Sequence, residues 1–508
     1  MDISQHIIYG FSVAVSPENF FFCFLGAFLG TLIGVLPGLG PAASIALLLP
    51  VTFKIPATAS LIMLTGIYYG AMYGGSTTSI LVNIPGEAAS VVTCFDGYQM
   101  AKQGRAGPAL GIAAFGSFIA GTFSTLMIML IAPLLVLVAL RFGPPEFVGL
   151  MLLGLVMVVF FSGESLLKGL MMAVIGLILG TVGLDPIYGT QRLTFGSTTL
   201  MGGVEIISVV MGLFGISEVL INMEQVLKQD IYKGKIKGLL PNKQDWKDSA
   251  APITRGTLMG FFLGLIPGVG SIIPTFMSYA MEKKLSKHPE RFGTGVIEGV
   301  AGPETTNNAA SMGGFIPLLT LGLPNTVIMA MMLGALMIHG VQPGPLLVKQ
   351  HPDVFWGVIA SMYIGNVILL ILNLPLIRIW VMILRVPYAI LFPLIILFCI
   401  IGSYSVNQNY VDIITLMISG GVGYLMRKLK YEGGPLILAF ILGPMIEERF
   451  RQSLLITKGD FSIFVSRPIA LGFLLVAMVL LISSPVMALL KKRYKGVLAE
   501  DELPEKGE

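Results

Sequence analysis

The sequence predicts an all-α polytopic membrane protein built from two inverted structural repeats with broken helices or re-entrant hairpins. Hydrophobic residues make up 55% of its 508 residues and charged residues only 12%, whereas about 25% of the residues of a soluble domain are charged. A glycine-rich segment that begins at Gly26 recurs in the second half of the chain. These observations indicate a membrane body of roughly ten to twelve transmembrane segments.

The polar parts of the chain predict its orientation. The N-terminal segment, residues 1–19, contains no lysine or arginine, and a cleavable signal peptide would begin with basic residues, so we expect the first apolar segment to stay in the mature protein. A linker at 224–250 contains six lysines, and the C-terminal tail, 483–508, begins with a basic cluster. By the positive-inside rule, we expect both the basic linker and the tail to be cytoplasmic.

Two membrane repeats, residues 20–223 and 251–482, flank this linker. The first copy of the shared pattern consists of Gly26, Gly30, Gly34, Pro37, Gly38 and Gly40. The second copy consists of Gly256, Gly260, Gly264, Pro267, Gly268 and Gly270. Further along, Gly74, Gly75 and Pro85 recur as Gly313, Gly314 and Pro324. Paired glycine- and proline-broken apolar segments are typical of secondary transporters, where they mark the binding site.

Charge placement predicts that the two repeats are inverted. Basic residues flank both sides of Gly256–Met281, whereas no lysine or arginine precedes Lys54 in the first repeat. After the next segment the bias reverses, with Lys102 and Arg105 in the first repeat but only Lys349 in the second. Opposite charge bias at equivalent positions indicates opposite orientation. The flanking charges also favour a re-entrant hairpin at Gly256–Met281, with a single long, kinked span as the alternative.

The broken segments supply candidate substrate ligands. Proline and glycine end a helix inside the membrane, which leaves N–H groups that suit a carboxylate and carbonyls that suit a small cation. The glycines before each break also form a small-residue face for helix packing, so we expect Gly26–Gly34 to serve packing and Pro37–Gly40 to form a functional break. The candidate substrate-binding residues are Pro37, Gly38, Gly40, Ser44, Gly74, Gly75, Ser76, Pro85, Gly86, Pro267, Gly268, Gly270, Ser271 and Pro324.

Neutral oxygen donors near the breaks supply candidate cation ligands. They are Thr77, Thr78, Asn83, Thr305, Thr306, Asn307, Asn308, Asn325 and Thr326. Such oxygens bind a hard cation without needing a proton, so Na⁺ is favoured over H⁺ as the coupling ion. The alternative is that these hydroxyls bond only to their own helices. Ionisable residues in apolar runs are the candidates for H⁺ coupling, namely Glu87, Asp96, Glu298 and Glu304.

The sequence lacks the motifs of other functional classes. The four histidines form no HExxH pattern, and the chain contains neither GxSxG nor a P-loop, so an intramembrane enzyme is a distant alternative. The three cysteines, Cys23, Cys94 and Cys399, have no metal-binding spacing. Acidic residues interrupt the basic linker, which argues against nucleic-acid binding. We therefore expect no cofactor beyond the coupling ion, and a lipid bilayer as the environment.

The blocks Leu36–Pro41, Tyr73–Leu81 and Asn83–Gly86 resemble the large membrane subunit of tripartite tricarboxylate transporters. Ile266–Gly270 and Gly302–Asn308 share this resemblance, which extends from about residue 20 to 485. It implies a multi-pass protein of the bacterial inner membrane that works with a small membrane subunit and a periplasmic solute-binding protein. It further implies ion-coupled import of tricarboxylates or related carboxylates. A stand-alone carboxylate carrier without a binding protein and a membrane scaffold without transport remain as alternatives.

Overall fold

The computed structural model describes residues 3–36, 40–161, 165–185, 187–224, 238–384 and 388–483. In these ranges the chain is helical apart from short connections and a hairpin of two-residue strands, β1 Gly183–Leu184 and β2 Gln191–Arg192. Residues 225–237 of the predicted linker and 484–508 of the predicted tail lie outside the described residues. The boundaries of the two repeats stay a prediction.

The α-helices before the linker pack as one body with those that follow it. The helices before the linker are α1 Ile3–Ala14, α2 Pro17–Val35, α3 Pro41–Leu48, α4 Ala57–Val82, α5 Val91–Lys102, α6 Ala106–Ala139, α7 Pro144–Phe161, α8 Leu166–Gly180, α9 Ile206–Val210 and α10 Ser217–Glu224. The π-helical turn Met211–Ile216 joins α9 to α10. Short 3₁₀ helices follow α3 at Leu49–Lys54 and precede α5 at Ala88–Ser90.

The second group begins with α11, which starts at an Asn242 capping box. This group consists of α11 Lys243–Gly264, α12 Ile272–Leu285, α13 Glu298–Gly313, α14 Phe315–Leu321, α15 Val327–Ile338, α16 Leu347–Gln350, α17 Pro352–Asn373, α18 Ile377–Ile383, α19 Tyr388–Asn407, α20 Tyr410–Lys428, α21 Gly433–Ile456, α22 Ile463–Ser466 and α23 Pro468–Ser483.

Six helical stretches are long and apolar enough to cross a membrane within the described ranges. They are Pro17–Val35, Ala106–Ala139, Pro144–Phe161, Ile206–Glu224, Pro352–Asn373 and Ile390–Asn407. Four further apolar helical segments are shorter than 18 residues. The all-helical membrane class is therefore confirmed, with fewer full-length spans than the ten to twelve that the sequence predicts. The helices that follow the breaks, α3 and α12, are too short to span a bilayer, whereas α4, α11, α20 and α21 are long enough but less apolar than the six.

The centre of the fold consists of α4 and α13. Every residue from Thr58 to Val82 is buried, as is every residue from Gly299 to Gly313. These helices contact each other, and each packs along the preceding broken helix of its own half, α2 or α11. Helix association inside a membrane depends on close packing rather than on the hydrophobic effect. The small residues of these helices therefore determine how closely the helices approach one another.

The glycines of α2 allow its backbone to touch that of α4. A methyl group on Gly30 would lie 2.3 Å from the carbonyl oxygen of Ile67, and Gly26 and Gly34 make equally close contacts one turn to either side. In the second half, a methyl group on Gly260 would lie 2.3 Å from the carbonyl oxygen of Thr306. The same backbone contact thus recurs at the equivalent position of each half. The packing role predicted for these glycines agrees with this geometry, while the inverted orientation of the halves stays a prediction.

Candidate functional site

A cavity of about 670 Å³ lies where the broken segments of the two halves meet. The first half contributes Gly40 and the Pro85–Glu87 turn, and the second half contributes Gly268–Ile273 and Asn325–Ile328. Tyr68, Met72, Val158 and Phe161 add apolar and aromatic surface. A cavity of this size and mixed polarity is typical of a small-molecule binding site.

Three α-helices begin at this cavity. α3 follows Gly40, α12 follows Ser271 and α15 follows Thr326, and all three capping residues line the cavity wall. The first N–H groups of a helix have no partner within the helix and lie at the positive end of its dipole. The wall is therefore suited to binding carboxylate groups.

The second break requires glycine at position 268. Its φ is +81°, and a methyl group there would lie 2.7 Å from the carbonyl oxygen of Met157 and from Cα of Val158. The Gly268 N–H donates a hydrogen bond of 3.1 Å to the carbonyl oxygen of Asn325. Both the left-handed backbone and the close approach of α7 exclude a side chain. This break therefore forms a fixed part of the cavity wall.

Among the described residues, Arg427 of α20 is the basic side chain that lines the cavity. It forms an ion pair with Glu218 of α10, and 39% of its side chain is exposed. A guanidinium can bind a carboxylate through two parallel hydrogen bonds, so an anion could compete with Glu218 for Arg427. Glu87 and Glu432 also border the cavity. The wall of the larger cavity therefore carries charges of both signs.

A second cavity of about 480 Å³ adjoins the first and shares Arg427 and Glu432 with it. We call it the basic vestibule, lined by Ser165, Lys168, Arg427, Lys430 and Tyr431 among others. Lys168 Nζ lies 4.8 Å from the centre of the Tyr431 ring and donates to the carbonyl oxygen of Leu429. Concentrated positive charge raises the local concentration of anions. The vestibule is therefore a suitable path for an anion to or from the larger cavity.

Glu87 connects the cavity wall to the other half of the protein. Its carboxylate accepts a hydrogen bond of 2.5 Å from Asn307 Nδ2 of α13 and another of 3.1 Å from the Ala89 N–H. The second bond caps the 3₁₀ helix Ala88–Ser90. Within the described part of the chain, Asn307 Oδ1 has no hydrogen-bond partner. Glu87 is thus held by both halves and borders the cavity as well.

Glu304, one turn before Asn307 on α13, makes the reciprocal connection. Its two carboxylate oxygens accept hydrogen bonds from Ser76 of α4 and Thr93 of α5. It is buried in the centre of the fold. Isolated charges are costly there, and intramembrane carboxylates are usually paired and functional. Each half therefore contributes one of these carboxylates, and hydroxyl or amide groups of the other half donate hydrogen bonds to it.

The other two acidic candidates lie elsewhere. Asp96 accepts hydrogen bonds from Gly293, Gly295 and Val296 N–H groups and from Tyr279 OH, at 2.7–3.0 Å. This set anchors the loop before α13 to α5. Glu298 is half-buried at the first residue of α13. Neither residue lines the larger cavity, so Glu87 is the only one of the four acidic candidates found there among the described residues.

The structure brings part of the predicted substrate set to the cavity. The predicted substrate residues that line it are Gly40, Pro85, Gly86, Gly268, Gly270 and Ser271. Ser44, Gly74, Gly75, Ser76, Pro267 and Pro324 are not among its lining residues. Gly74 instead packs against α2, where a methyl group would lie 2.6 Å from the carbonyl oxygen of Thr31. Pro37 and Gly38 lie outside the described residues.

The predicted cation ligands are dispersed. Asn325 and Thr326 line the larger cavity, and Asn83 is exposed at the left-handed end of α4, with φ +58°. The Thr305 hydroxyl donates to a carbonyl of its own helix, as in the alternative considered for hydroxyl groups. The Thr78 and Thr306 hydroxyls donate both to their own helices and to the neighbouring helices α2 and α11. Asn307 and Asn308 donate to Glu87 and Ser117. Thr77 lines a separate, small cavity.

Sequence reasoning missed Arg427, Glu218 and the aromatic wall residue Tyr68. Arg427 lies in the last turn of α20, far from any repeated motif. A basic residue at the end of an apolar helix commonly marks the membrane surface. That interpretation of Arg427 gives no reason to assign it to a binding site. Only the packing of α20 beside the π-helical turn Met211–Ile216 brings it to the cavity.

Comparisons with known proteins agree with this architecture. The sequence pattern of the Tripartite tricarboxylate transporter TctA family matches residues 20–438. The chain is 48% identical over 501 residues to a protein of Agrobacterium vitis named "Uncharacterized 52.8 kDa protein in TAR-I ttuC' 3'region", which covers 99% of this chain and 100% of that protein. It is 47% identical over 243 residues to a second one, "Uncharacterized protein in TAR-II ttuC' 3'region", which covers 48% of this chain and 100% of that protein. No solved structure gives a significant match.

Proposed function

Because the chain belongs to the Tripartite tricarboxylate transporter TctA family, a family of bacterial multi-pass transporters rather than enzymes, we propose that it imports tricarboxylates or related carboxylates. We propose further that it acts in the inner membrane with a small membrane subunit and a periplasmic solute-binding protein. The coupling ion in this proposal is a cation, with Na⁺ favoured over H⁺.

The observation that carries the proposal is the convergence of the broken segments on the 670 Å³ cavity. The starts of α3, α12 and α15 place the positive ends of three helix dipoles at the wall, where they suit carboxylates, and Arg427 provides a guanidinium. The larger part of the wall is apolar, which accommodates the carbon skeleton of an organic acid. The basic vestibule extends the positive surface beyond Arg427.

Cation coupling follows from the charge balance. A multiply charged anion that enters a cell against a negative-inside potential loses about 2.3 kcal/mol per charge per 100 mV. Co-transported cations must at least offset that charge. Glu87 lines the larger cavity and Glu304 lies in the buried centre of the fold, and both carboxylates would attract such cations.

The broken segment of the second half is proposed to be a re-entrant hairpin. Arg255 of α11 forms an ion pair with Glu282 of α12, and α11 and α12 also pack against each other. The two residues lie at similar distances along the chain from the break at 265–271. This contact supports two antiparallel legs that begin and end on the same side of the membrane.

The proposal is tested by uptake into liposomes that contain the chain and the small membrane subunit. We expect accumulation of radiolabelled citrate or a related carboxylate when the solute-binding protein is present outside and an inward Na⁺ gradient is imposed. Uptake driven by a pH gradient alone in Na⁺-free buffer would reject Na⁺ coupling. Uptake that persists without the solute-binding protein would instead support the stand-alone carrier, and absence of carboxylate uptake under every gradient would reject the function.

A further inference from the structure

A third, much smaller cavity lies deep in the membrane body, between α4, α6 and the end of α17. Its volume is about 10 Å³, close to the space that one water-sized particle needs. Its polar lining consists of Tyr73, Ser76 and Thr77 of α4, Ser117 of α6 and Asn373, the last residue of α17. None of the described residues that line it is basic. The site is thus rich in oxygen and enclosed by three helices from both halves of the chain.

The hydrogen bonds of this lining leave oxygen lone pairs for an occupant. Tyr73 OH donates 2.9 Å to Asn366 Oδ1, and the Ser76 hydroxyl is directed to Glu304 and the Met72 carbonyl. Asn373 uses its Nδ2 group on the carbonyl oxygen of Leu369, at 2.9 Å. Because the hydrogens of Tyr73, Ser76 and Asn373 are engaged elsewhere, the oxygens of these three side chains can only accept or coordinate at the cavity.

Asn373 provides an independent indication that something is bound here. Its side chain is buried, with 4% exposure, and within the described residues its Oδ1 has no hydrogen-bond partner. A buried polar atom without a partner is costly, and a bound water or ion usually accounts for one. The cavity that Asn373 lines is the place for such a particle.

Electrostatics favour a cation over a water molecule. Glu304 lies directly behind Ser76 and is the nearest carboxylate that the hydrogen bonds identify. The cavity also lies at the C-terminal end of α17, which is the negative end of the helix dipole. Hard cations such as Na⁺ take hydroxyl, carbonyl and carboxylate oxygens as ligands.

We propose that this cavity binds the coupling Na⁺ ion, with Tyr73, Ser76, Thr77, Ser117 and Asn373 as its oxygen donors and Glu304 as the charge behind them. The proposal rests on the proposed function, because it locates the ion that would drive uptake. It differs from the ligand set that the sequence predicts, of which only Thr77 remains.

The structure also connects this site to the substrate cavity. Asn308 of α13 donates 2.7 Å to Ser117 Oγ at the cation cavity. The preceding residue, Asn307, donates to Glu87 at the substrate cavity. A cation that fixes Ser117 and Glu304 would therefore fix α13 and, through Asn307, the position of Glu87. Binding at one cavity would favour binding at the other, and such coupling is reciprocal.

The test measures cation binding without transport or substrate. The purified full-length chain in detergent is unfolded by heat in increasing NaCl, with choline chloride holding the ionic strength constant. Specific binding to the folded state raises the unfolding temperature in a saturable way. We expect Thr77→Val, which keeps the shape but removes one oxygen, to raise the half-maximal Na⁺ concentration by about tenfold. Ser117→Ala should act in the same direction.

Thr65→Val is the matched control, since Thr65 is buried on the same helix but does not line this cavity. We expect its Na⁺ dependence to equal that of the unaltered protein. An unfolding temperature that stays the same when Na⁺ replaces choline would overturn the site. A Na⁺ dependence of Thr77→Val and Ser117→Ala equal to that of the unaltered protein would also overturn it and would leave water as the occupant of the cavity. If the unaltered protein bound Na⁺ but took up no carboxylate in liposomes, the proposed function would be rejected while the cation site would stand.

Discussion

Asn307 Nδ2 donates a hydrogen bond of 2.5 Å to Glu87 Oε1, although 220 positions separate the two residues in the chain. Asn307 belongs to the central helix of the second half, and Glu87 caps a short helix of the first. The bond lies at the wall of the larger cavity. It therefore connects the packing of the two halves to the geometry of the proposed binding site.

We predict that Glu87 and Asn307 contribute jointly to stability. Asn307→Ala leaves the buried carboxylate without one donor, which is expected to cost about 1.5–3 kcal/mol. Glu87→Ala and the double variant complete a thermodynamic cycle, measured by thermal or denaturant unfolding, with an expected coupling energy of about 0.5–3 kcal/mol. The control cycle pairs Glu87→Ala with Asn308→Ala, whose side chain bonds to Ser117 instead. Additive effects of Glu87→Ala and Asn307→Ala would show that the bond contributes nothing.

Equivalent glycines in the two halves should be equally intolerant of substitution. A methyl group at Gly30 or Gly260 would lie 2.3 Å from a backbone carbonyl oxygen, so the facing helix must move. Overpacking of this kind costs about 1–3 kcal/mol or more. We expect Gly30→Ala and Gly260→Ala to lower the yield of monodisperse protein in fluorescence-detected size-exclusion chromatography, together with the unfolding temperature.

Gly421→Ala is the control for this pair, because nothing lies within 4 Å of a methyl group at that helical position. Alanine has the higher helix propensity, so this variant should be as stable as the unaltered protein or slightly more stable. If Gly30→Ala or Gly260→Ala also matched the unaltered protein, the close contacts of α2 with α4 and of α11 with α13 would be wrong.

The repeated motif allowed the central packing and part of the cavity to be predicted from the sequence. Glycines every fourth residue, as at Gly26 and Gly30, can serve only close helix contacts when the segment is apolar. Proline and glycine within the next turn must end the helix. Both inferences depend on local backbone chemistry, and for that reason a break at Pro267–Gly270 can be predicted without knowledge of the fold, whereas its position at the cavity emerges only from the packing of the two halves.

The remaining site residues depend on tertiary packing that no local pattern encodes. Ser117 and Asn373 belong to unrelated helices and meet only where α6 and α17 pack on α4. The hydroxyls of Thr305 and Thr306 looked equivalent to that of Thr77 in the sequence, yet they bond to nearby carbonyls. The difference lies in which face of its helix each residue occupies. Because α4 and α13 are buried on every side, no alternation of polar and apolar residues identifies that face in the sequence.

Membrane topology can be tested at the ends of α11 and α12. Lys247 near the start of α11 and Lys287 just after α12 are both exposed. The ion pair Arg255–Glu282 joins these two helices. In a background without cysteine, we expect Lys247→Cys and Lys287→Cys to react with an impermeant maleimide only from the cytoplasmic side. Glu18→Cys, at the start of α2, should react only from the periplasm if the repeats are inverted. Labelling of positions 247 and 287 from opposite sides would reject the hairpin.

The last prediction concerns Arg427. In the proposed transport cycle a substrate carboxylate replaces Glu218 as its partner, so Arg427→Gln loses a charge-assisted hydrogen-bond donor of about 1.5–3 kcal/mol. That loss corresponds to an increase of about ten- to a hundredfold in the substrate concentration for half-maximal uptake. Arg427→Lys keeps the charge without the planar two-point geometry, so its uptake should be intermediate. Glu218→Gln should act in the opposite direction, because it releases the guanidinium.

Lys428→Gln provides the matched control for Arg427→Gln. Lys428 is the next residue on α20, but its ammonium group binds Glu224 and it lines neither the larger cavity nor the basic vestibule. Its removal changes the net charge by the same amount without altering the cavity wall. We therefore expect half-maximal uptake at the same substrate concentration as in the unaltered protein. Equal shifts for Arg427→Gln and Lys428→Gln would indicate general electrostatic attraction, and no shift for either would remove Arg427 from the substrate site.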